Sequence, residues 1–408
     1  MAYRTLKSVF HQRDISGADA EEASRRASPA ALSWEFRIGE HSLFCLTTPR
    51  ITALTERIMV LDARVAETWA ELLPVARNHY FSSMIIEEIQ ATNEIENVHS
   101  TRREIADALE SLTDEPTGDR RFREMVRLYA ALGDRSVSAP GTLDDVRDLY
   151  DAVTRGEVAP GDAPDGARFR ADIVRITSGQ KVVHTGVVPE AAIDAGLTVM
   201  LAQRSDEDIP HLIRAAIAHL IFEVVHPFYD GNGRTGRFLL ALDLAERLSP
   251  ISWFALSATI FDNRDRYYQA FADVEHPLNR ADATPFVETM LEIVAESLHR
   301  AMTDLTDRRA ALDALTDAVR EIAPARVPVD DDHRGILHAL GQVALFGFTG
   351  AVTLEELTDA GPRSKRTVRT KTQILVDAGL VEIVSLRPLR FRLSTAGREL
   401  CAIDGETA

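Results

Sequence analysis

The run His226-Pro227-Phe228-Tyr229-Asp230-Gly231-Asn232-Gly233-Arg234-Thr235-Gly236-Arg237 constrains this chain more than any other segment. Before it, Leu212, Ala216, His219, Leu220, Phe222 and Glu223 form a largely apolar helical run, which Pro227 must end because it has no amide proton to offer. A second helix is predicted from near Arg234. The loop between them suits a polyphosphate: Gly231 and Gly233 let backbone amides approach closely, and the new helix turns its partly positive N-terminus toward an anion. Arg234 and Arg237 lie three apart, which predicts two permanently charged forks on one helix face. Asp230 offers the single carboxylate that Mg²⁺ favours when phosphates supply its other ligands. His226 at the mouth of the loop can accept a proton near neutral pH. Alone, Asp-Gly-Asn-Gly would be read as a tight turn and His226 as a helix-capping histidine. A turn has no use for the flanking His-Pro-Phe and the arginine pair, so the whole run predicts a base, a metal ligand and an anion clamp in one place.

The rest of the chain sets the frame for that loop. Its 408 residues allow two or three domains, and the 45% hydrophobic and 27% charged content is that of an ordinary soluble globular protein. A net charge of -17 argues against diffuse, charge-driven binding of nucleic acid over the whole surface. Cys45 and Cys401 are too few for a disulfide framework or a multi-cysteine zinc site. The first residues lack a secretory apolar core and no stretch reaches the roughly 18 apolar residues of a membrane span, so a cytoplasmic protein with no membrane contact is expected.

Apolar spacing predicts helices from Pro49 through Trp69 and at about 76 to 96, 103 to 112, 119 to 132, 142 to 154, 188 to 203, 209 to 225, 234 to 247 and 284 to 304. Residues 16 to 31 read as a mobile arm or a short surface helix. The stretches Phe169–Thr177 and Lys181–His184, around Ser178-Gly179-Gln180, read as a β-hairpin. Ala323-Pro324 and Pro328–Asp332 read as a linker. The organisation expected is a mostly α protein: an N-terminal arm over 1–45, a helical region over 46–140, a core over 141–310 and a separate domain over 333–402.

The twelve-residue run closely resembles the signature of the Fic family, His-Pro-Phe-x-Asp-Gly-Asn-Gly-Arg-x-x-Arg, without substitution. The resemblance extends through His219, Phe222 and Glu223 before it and Ser257, Asn263, Arg264, Tyr267 and Tyr268 after it, over roughly residues 45 to 300. It implies a Fic-type helical bundle with a β-hairpin flap, and a transfer of AMP from ATP to a Ser, Thr or Tyr hydroxyl of a target protein or of the chain itself. His226 would be the base, Asp230 would hold Mg²⁺, and Gly231, Asn232 and Gly233 would bind phosphate oxygens. Arg234 and Arg237 would hold the outer phosphates. Upstream, Thr92-Asn93-Glu94-Ile95-Glu96-Asn97 resembles the family's inhibitory motif, which implies that Glu96 pairs with Arg237 and keeps it from the γ-phosphate. A solvated acidic stripe is the plainer reading of the same residues. The flap implies docking of a target strand, with Val182 and Val183 as candidates. Tyr267 and Tyr268 are candidates for an adenine pocket.

Beyond residue 333, Val352–Leu357, a turn near Gly361-Pro362, a helix from Ser364 to Ala378 and two short strands suit a winged helix-turn-helix. Arg363, Lys365, Arg366, Arg369 and Lys371 load its second helix, and Arg387, Arg390 and Arg392 its wing, which suits phosphate contacts with DNA; protein contact is the other reading of such a domain. Two alternatives to AMP transfer remain open from the sequence: removal of AMP from a modified protein at the same site, and an ATP-sensing DNA-binding regulator. Family members often form homo-oligomers.

Overall fold

The computed structural model describes residues 3–113, 121–178, 181–249, 251, 255–323, 329–361 and 363–403. The chain divides into two compact units, Met1–Ala63 with Ile86–His299, and Arg64–Ile85 with Arg300–Ala408. Gly179 and Gln180 of the hairpin turn, residues 119–120 of one expected helix, and Pro324, Pro328 and Pro362 lie outside the described residues.

The first unit opens with helices α1 (Leu6–Arg13) and α2 (Ile15–Arg26) and an antiparallel hairpin of β1 (Ala31–Ile38) and β2 (His41–Leu46). The surface-helix reading of residues 16 to 31 fits α2, but the 1–45 segment as a whole is not an arm. Leu6, Val9 and Ala18 are buried, Arg25 donates to the Asp282 carboxylate at 2.9 Å, and the Phe44 backbone bonds to Ala281 and Ala283. The strand is driven by alternation: Trp34 and Phe36 face inward while Glu35 and Arg37 stay exposed.

The helices that follow are α3 (Pro49–Glu71), α4 (Pro74–Ile95), α5 (Arg102–Glu110), α6 (Arg123–Gly133) and α7 (Leu143–Val153). After the hairpin of β3 (Arg175–Ser178) and β4 (Lys181–Thr185) come α8 (Glu190–Gln203), α9 (His211–Val225), α10 (Asn232–Ala245), α11 (Leu256–Asp262), α12 (Arg264–Glu275) and the long α13 (Thr284–Glu321). Strand β3 is shorter than the sequence suggests, since residues 169–174 are not in strand and Arg170 is engaged elsewhere. Every residue of α10 is buried, as is all of α9 from Leu212 onward except Glu223. Helices apolar on all sides belong at the centre of a bundle, and here α9 packs on α8 and α10, and α10 on α7. The loop between α9 and α10 is thereby held by the two most enclosed helices of the unit.

The second unit takes in the C-terminal part of α13, then α14 (Asp331–Phe346), β5 (Ala351–Thr353), α15 (Leu354–Asp359), α16 (Lys365–Asp377), β6 (Val381–Leu386), β7 (Leu389–Leu393) and α17 (Thr395–Leu400). Its three strands form an antiparallel sheet in the order β5-β7-β6. The unit is larger than residues 333–402 because the stripe Leu305, Leu312, Leu315 and Val319 of α13 is buried, and Tyr80 packs edge-on against Phe346 at 5.8 Å. No helix among the described residues is long and apolar enough to cross a membrane.

Candidate active site

Pro227 ends α9 and denies its neighbour the helical conformation, so His226 caps the helix with a left-handed backbone, φ 50°. That posture is held by Arg170, a fully buried side chain that the sequence reading did not single out. Its guanidinium donates to the carbonyls of His226 at 2.7 Å, Val225 at 3.2 Å, Val187 at 2.7 Å and Asp172 at 2.6 Å. A cation thus fills the acceptor-rich end of α9 just behind the candidate base.

His226 is 9% exposed, and its Nδ1 lies 3.3 Å from the Glu223 carbonyl. A carbonyl only accepts, so the ring proton sits on Nδ1 and the Nε2 lone pair is left free. Burial, then the neighbouring His184, then Arg170 push the His226 pKa down to about 3, so the ring is neutral at physiological pH. His184, on β4, stands with its ring 5.5 Å from that of His226, and its Nδ1 is 2.7 Å from the Glu275 carboxylate.

The loop itself is locked from within. Asn232 Nδ2 donates to the Phe228 carbonyl at 2.8 Å and its Oδ1 accepts from the Phe228 amide at 3.0 Å. The side chain of Asn232 therefore braces the loop, and the phosphate-binding capacity at that position is its backbone amide. Gly231 starts α10 in the left-handed region, φ 79°, and any Cβ there would also overlap Thr154 Cγ2 at 2.5 Å, so glycine is favoured on both counts. No side chain caps the N-terminus of α10. Instead the Glu96 carboxylate lies against Gly233, where a Cβ would overlap it, so a carboxylate already stands at the positive end of the helix.

The two arginines have separate partners, which differs from the expectation of a common target. Arg234 is buried in an ion pair with Glu157, whose other oxygen lies 3.3 Å from Arg121. Arg237, 1% exposed, donates through Nε to Thr92 Oγ1 at 2.7 Å and through Nη2 to the Thr92 carbonyl at 3.0 Å, and its Nη2 forms an ion pair with Glu96 at 2.9 Å. Side chains three apart on a helix still diverge once each finds its own counter-charge. Asn97 follows with φ 56°, so the chain leaves α4 through a left-handed residue, a position that Asn and Gly tolerate best.

Two further carboxyls surround Arg237. Glu88 is buried and accepts from the Ser257 amide at 3.0 Å, and burial pushes its pKa up to about 8 despite Arg237. Glu223 is likewise pushed up to about 8 by burial, opposed by Arg237, and its Oε1 is enclosed without a hydrogen-bond partner.

These side chains meet in a cleft of about 610 Å³ lined by Glu96, His184, Glu223, His226, Gly233 and Arg237, with Val183 of the hairpin and Tyr267 and Tyr268 of α12. Tyr267 is buried with its hydroxyl donating to His219 Nε2 at 2.7 Å, while His219 Nδ1 donates to the Gly236 carbonyl at 3.1 Å. Tyr268 is half exposed; Val182 is exposed and does not line the cleft. Asp230 accepts from the Gly231 amide through one oxygen at 2.7 Å and is partly exposed. Among the described residues no group of three or more His, Cys, Asp or Glu could cage a metal. A lone carboxylate beside an anion site fits Mg²⁺, which draws its other ligands from phosphate and water.

A buried histidine with a free Nε2, a glycine-lined helix N-terminus and a buried arginine converge on one cleft. Residues 140–244 match the family model described as the Fic/DOC family. The chain is 37% identical over 78 residues to a probable protein adenylyltransferase of Aquifex aeolicus, covering 19% of this chain and 22% of that one. It is 30% identical over 161 residues to the protein adenylyltransferase fic-1 of Caenorhabditis briggsae, covering 39% of this chain and 28% of that one. The chain thus spans about a quarter of the length of these curated relatives. A crystal structure of a Fic family protein from Desulfovibrio desulfuricans G20 superposes with a TM-score of 0.53 at 24% identity, over 85% of this chain and 97% of that one, a likeness of fold.

Proposed function

We propose that this chain transfers the AMP group of ATP to a Ser, Thr or Tyr hydroxyl of a target protein or of itself, and that Glu96 restrains the transfer by occupying Arg237. The observation that carries this reading is the Glu96–Arg237 pair at 2.9 Å, inside the same cleft as the free Nε2 face of the His226 ring.

In this reading the hydroxyl gives its proton to His226 Nε2 while its oxygen bonds to the α-phosphorus. The bond from that phosphorus to the α–β bridging oxygen breaks, and pyrophosphate leaves. Positioning and charge neutralisation supply most of the acceleration, and the base adds a factor of about 10² to 10⁴. The amides at Gly231, Asn232 and Gly233 and the uncapped start of α10 bind phosphate oxygens. Asp230 would hold a Mg²⁺ that neutralises phosphate charge when bound. Arg237 takes the γ-phosphate once Glu96 withdraws, and Arg234 braces the loop through Glu157. The half-exposed Tyr268 ring supports an adenine site, with Tyr267 set behind it by His219. The exposed Val182 and Val183 of β4 support docking of a target strand along the hairpin.

The order helix, strand, helix, helix, strand, strand in the second unit supports a winged helix-turn-helix there. Of the eight basic residues named on α16 and the β6–β7 hairpin, Arg363, Lys365, Lys371 and Arg392 already face Asp332, Glu355, Asp330 and Glu382. That internal neutralisation ranks a DNA-binding regulator second to the transferase.

The test is incubation with Mg²⁺ and ATP labelled at either the α- or the γ-phosphate. Protein should take up α-label and no γ-label, and His226→Ala should take up neither. Uptake of γ-label would make the chain a kinase. Release of AMP from a premodified target without any α-label uptake would make removal the true direction.

A further inference from the structure

His226 is enclosed, so the proton it takes from a hydroxyl needs a way out before the next turnover. Two cleft residues that the transfer chemistry leaves unused stand beside it. The His184 side chain is 10% exposed and lines the cleft, with its Nε2 buried and without a hydrogen-bond partner. Its Nδ1 is 2.7 Å from Glu275 Oε2, and since a carboxylate only accepts, Nδ1 carries the proton and Nε2 offers a lone pair. The two imidazole rings stand 5.5 Å apart, centroid to centroid, and are tilted by 58°. Glu275, also lining the cleft, is 23% exposed on its side chain and so touches solvent. His226 and His184 are about equally enclosed, and Glu275 is the more exposed end.

We propose that His184 and Glu275 form a proton relay that empties His226 after each transfer. The inference rests on the transferase reading. The hydroxyl proton moves to His226 Nε2 as the oxygen–phosphorus bond forms. It then passes from that Nε2–H to the lone pair of His184 Nε2, giving an imidazolium that the Glu275 carboxylate holds through Nδ1–H, and His184 gives the added Nε2 proton to water when the product leaves. Both rings return to their starting Nδ1–H tautomers, and no oxidant or second reactant is required. The carboxylate fixes the tautomer of the receiving imidazole and steadies its charged form, which is what a carboxylate behind a histidine contributes in acid–base catalysis.

The test uses the full chain carrying Glu96→Gly, so that activity is high enough to divide into parts. His184→Ala should lower kcat at least about tenfold, within the range of one acid–base step, and leave KM for ATP and target within about twofold. Added imidazole should restore most of that loss. Glu275→Gln should lower kcat less, with a larger solvent deuterium isotope effect than the parent. A His184→Ala variant with unchanged kcat, or one whose loss appears in KM and is not rescued by imidazole, overturns the relay. His226→Ala on the same background separates the two claims: full activity there would refute the base reading itself, whereas its loss alongside an unaffected His184→Ala refutes only the relay.

Discussion

The cleft and helix α16 are both places where basic residues were prominent in the sequence, yet the structure treats them in opposite ways. In the cleft, Arg237 is buried and surrounded by Glu88, Glu96 and Glu223, only one of which pairs with it directly. On α16 and its flanks the basic residues are solvated, and those that pair do so with exposed or partly exposed carboxylates such as Asp332 and Glu355. Water weakens the second kind of pair to a fraction of a kcal/mol, whereas enclosure makes each gain or loss of a partner costly in the first. A buried cation that pairs with a single carboxylate can give it up without large cost only in exchange for another anion, which is what a restraint needs.

The largest effect should come from removing the buried cation. Arg237→Ala leaves the Glu96 carboxylate without its counter-charge and Thr92 without its donor, and should destabilise the first unit by about 3–5 kcal/mol, while Arg366→Ala on α16 should stay within about 0.5 kcal/mol. Denaturant unfolding of the two variants measures the contrast directly, and equal losses would erase it.

A smaller effect is set by pH. The folded Glu88 carboxyl titrates near 8 and the unfolded one near 4.3, so the folded chain keeps a proton that the unfolded chain releases. Stability from this group is full below about pH 4 and is lost as pH rises toward 8. Glu88→Gln removes that loss and can still accept from the Ser257 amide. The Tm of the variant should therefore gain on wild type between pH 5.5 and 8.5 by a few degrees. A difference that does not change with pH would mean that Glu88 is ionised throughout.

The smallest effect concerns α16 and the chemistry. The double variant Arg366→Glu, Arg369→Glu should leave ATP affinity within about twofold of wild type, measured by calorimetry on the full chain. A drop of tenfold would tie the second unit to the nucleotide site.

The contrast also explains what was legible in advance. The loop from His226 to Arg237 could be read because base, glycines and arginines are contiguous, and Thr92 to Asn97 because its pattern is compact. Arg170, Glu157, His184 and Glu275 could not, since each reaches the site from a distant segment and carries no pattern of its own. Asn232 and Arg234 were legible as site residues but not in their bracing roles, which only the backbone of Phe228 and the carboxylate of Glu157 reveal. The hairpin of β1 and β2 did carry a signal, the alternation of Trp34 and Phe36 with charged neighbours followed by Gly39-Glu40. The Ala- and Ser-rich stretch before it obscured that signal. The long reach of α13 past residue 304 is not legible in the sequence because its second half is largely polar, with Leu305, Leu312, Leu315 and Val319 marking the buried stripe.

The central claim is that Glu96 holds Arg237 away from ATP. The most direct measurement compares the initial rate of α-label uptake, from Mg²⁺ and α-labelled ATP, by wild type and Glu96→Gly. The account predicts weak uptake by wild type and at least about a tenfold faster rate for Glu96→Gly, equivalent to about 1.4 kcal/mol of restraint. Equal rates for the two proteins would contradict it.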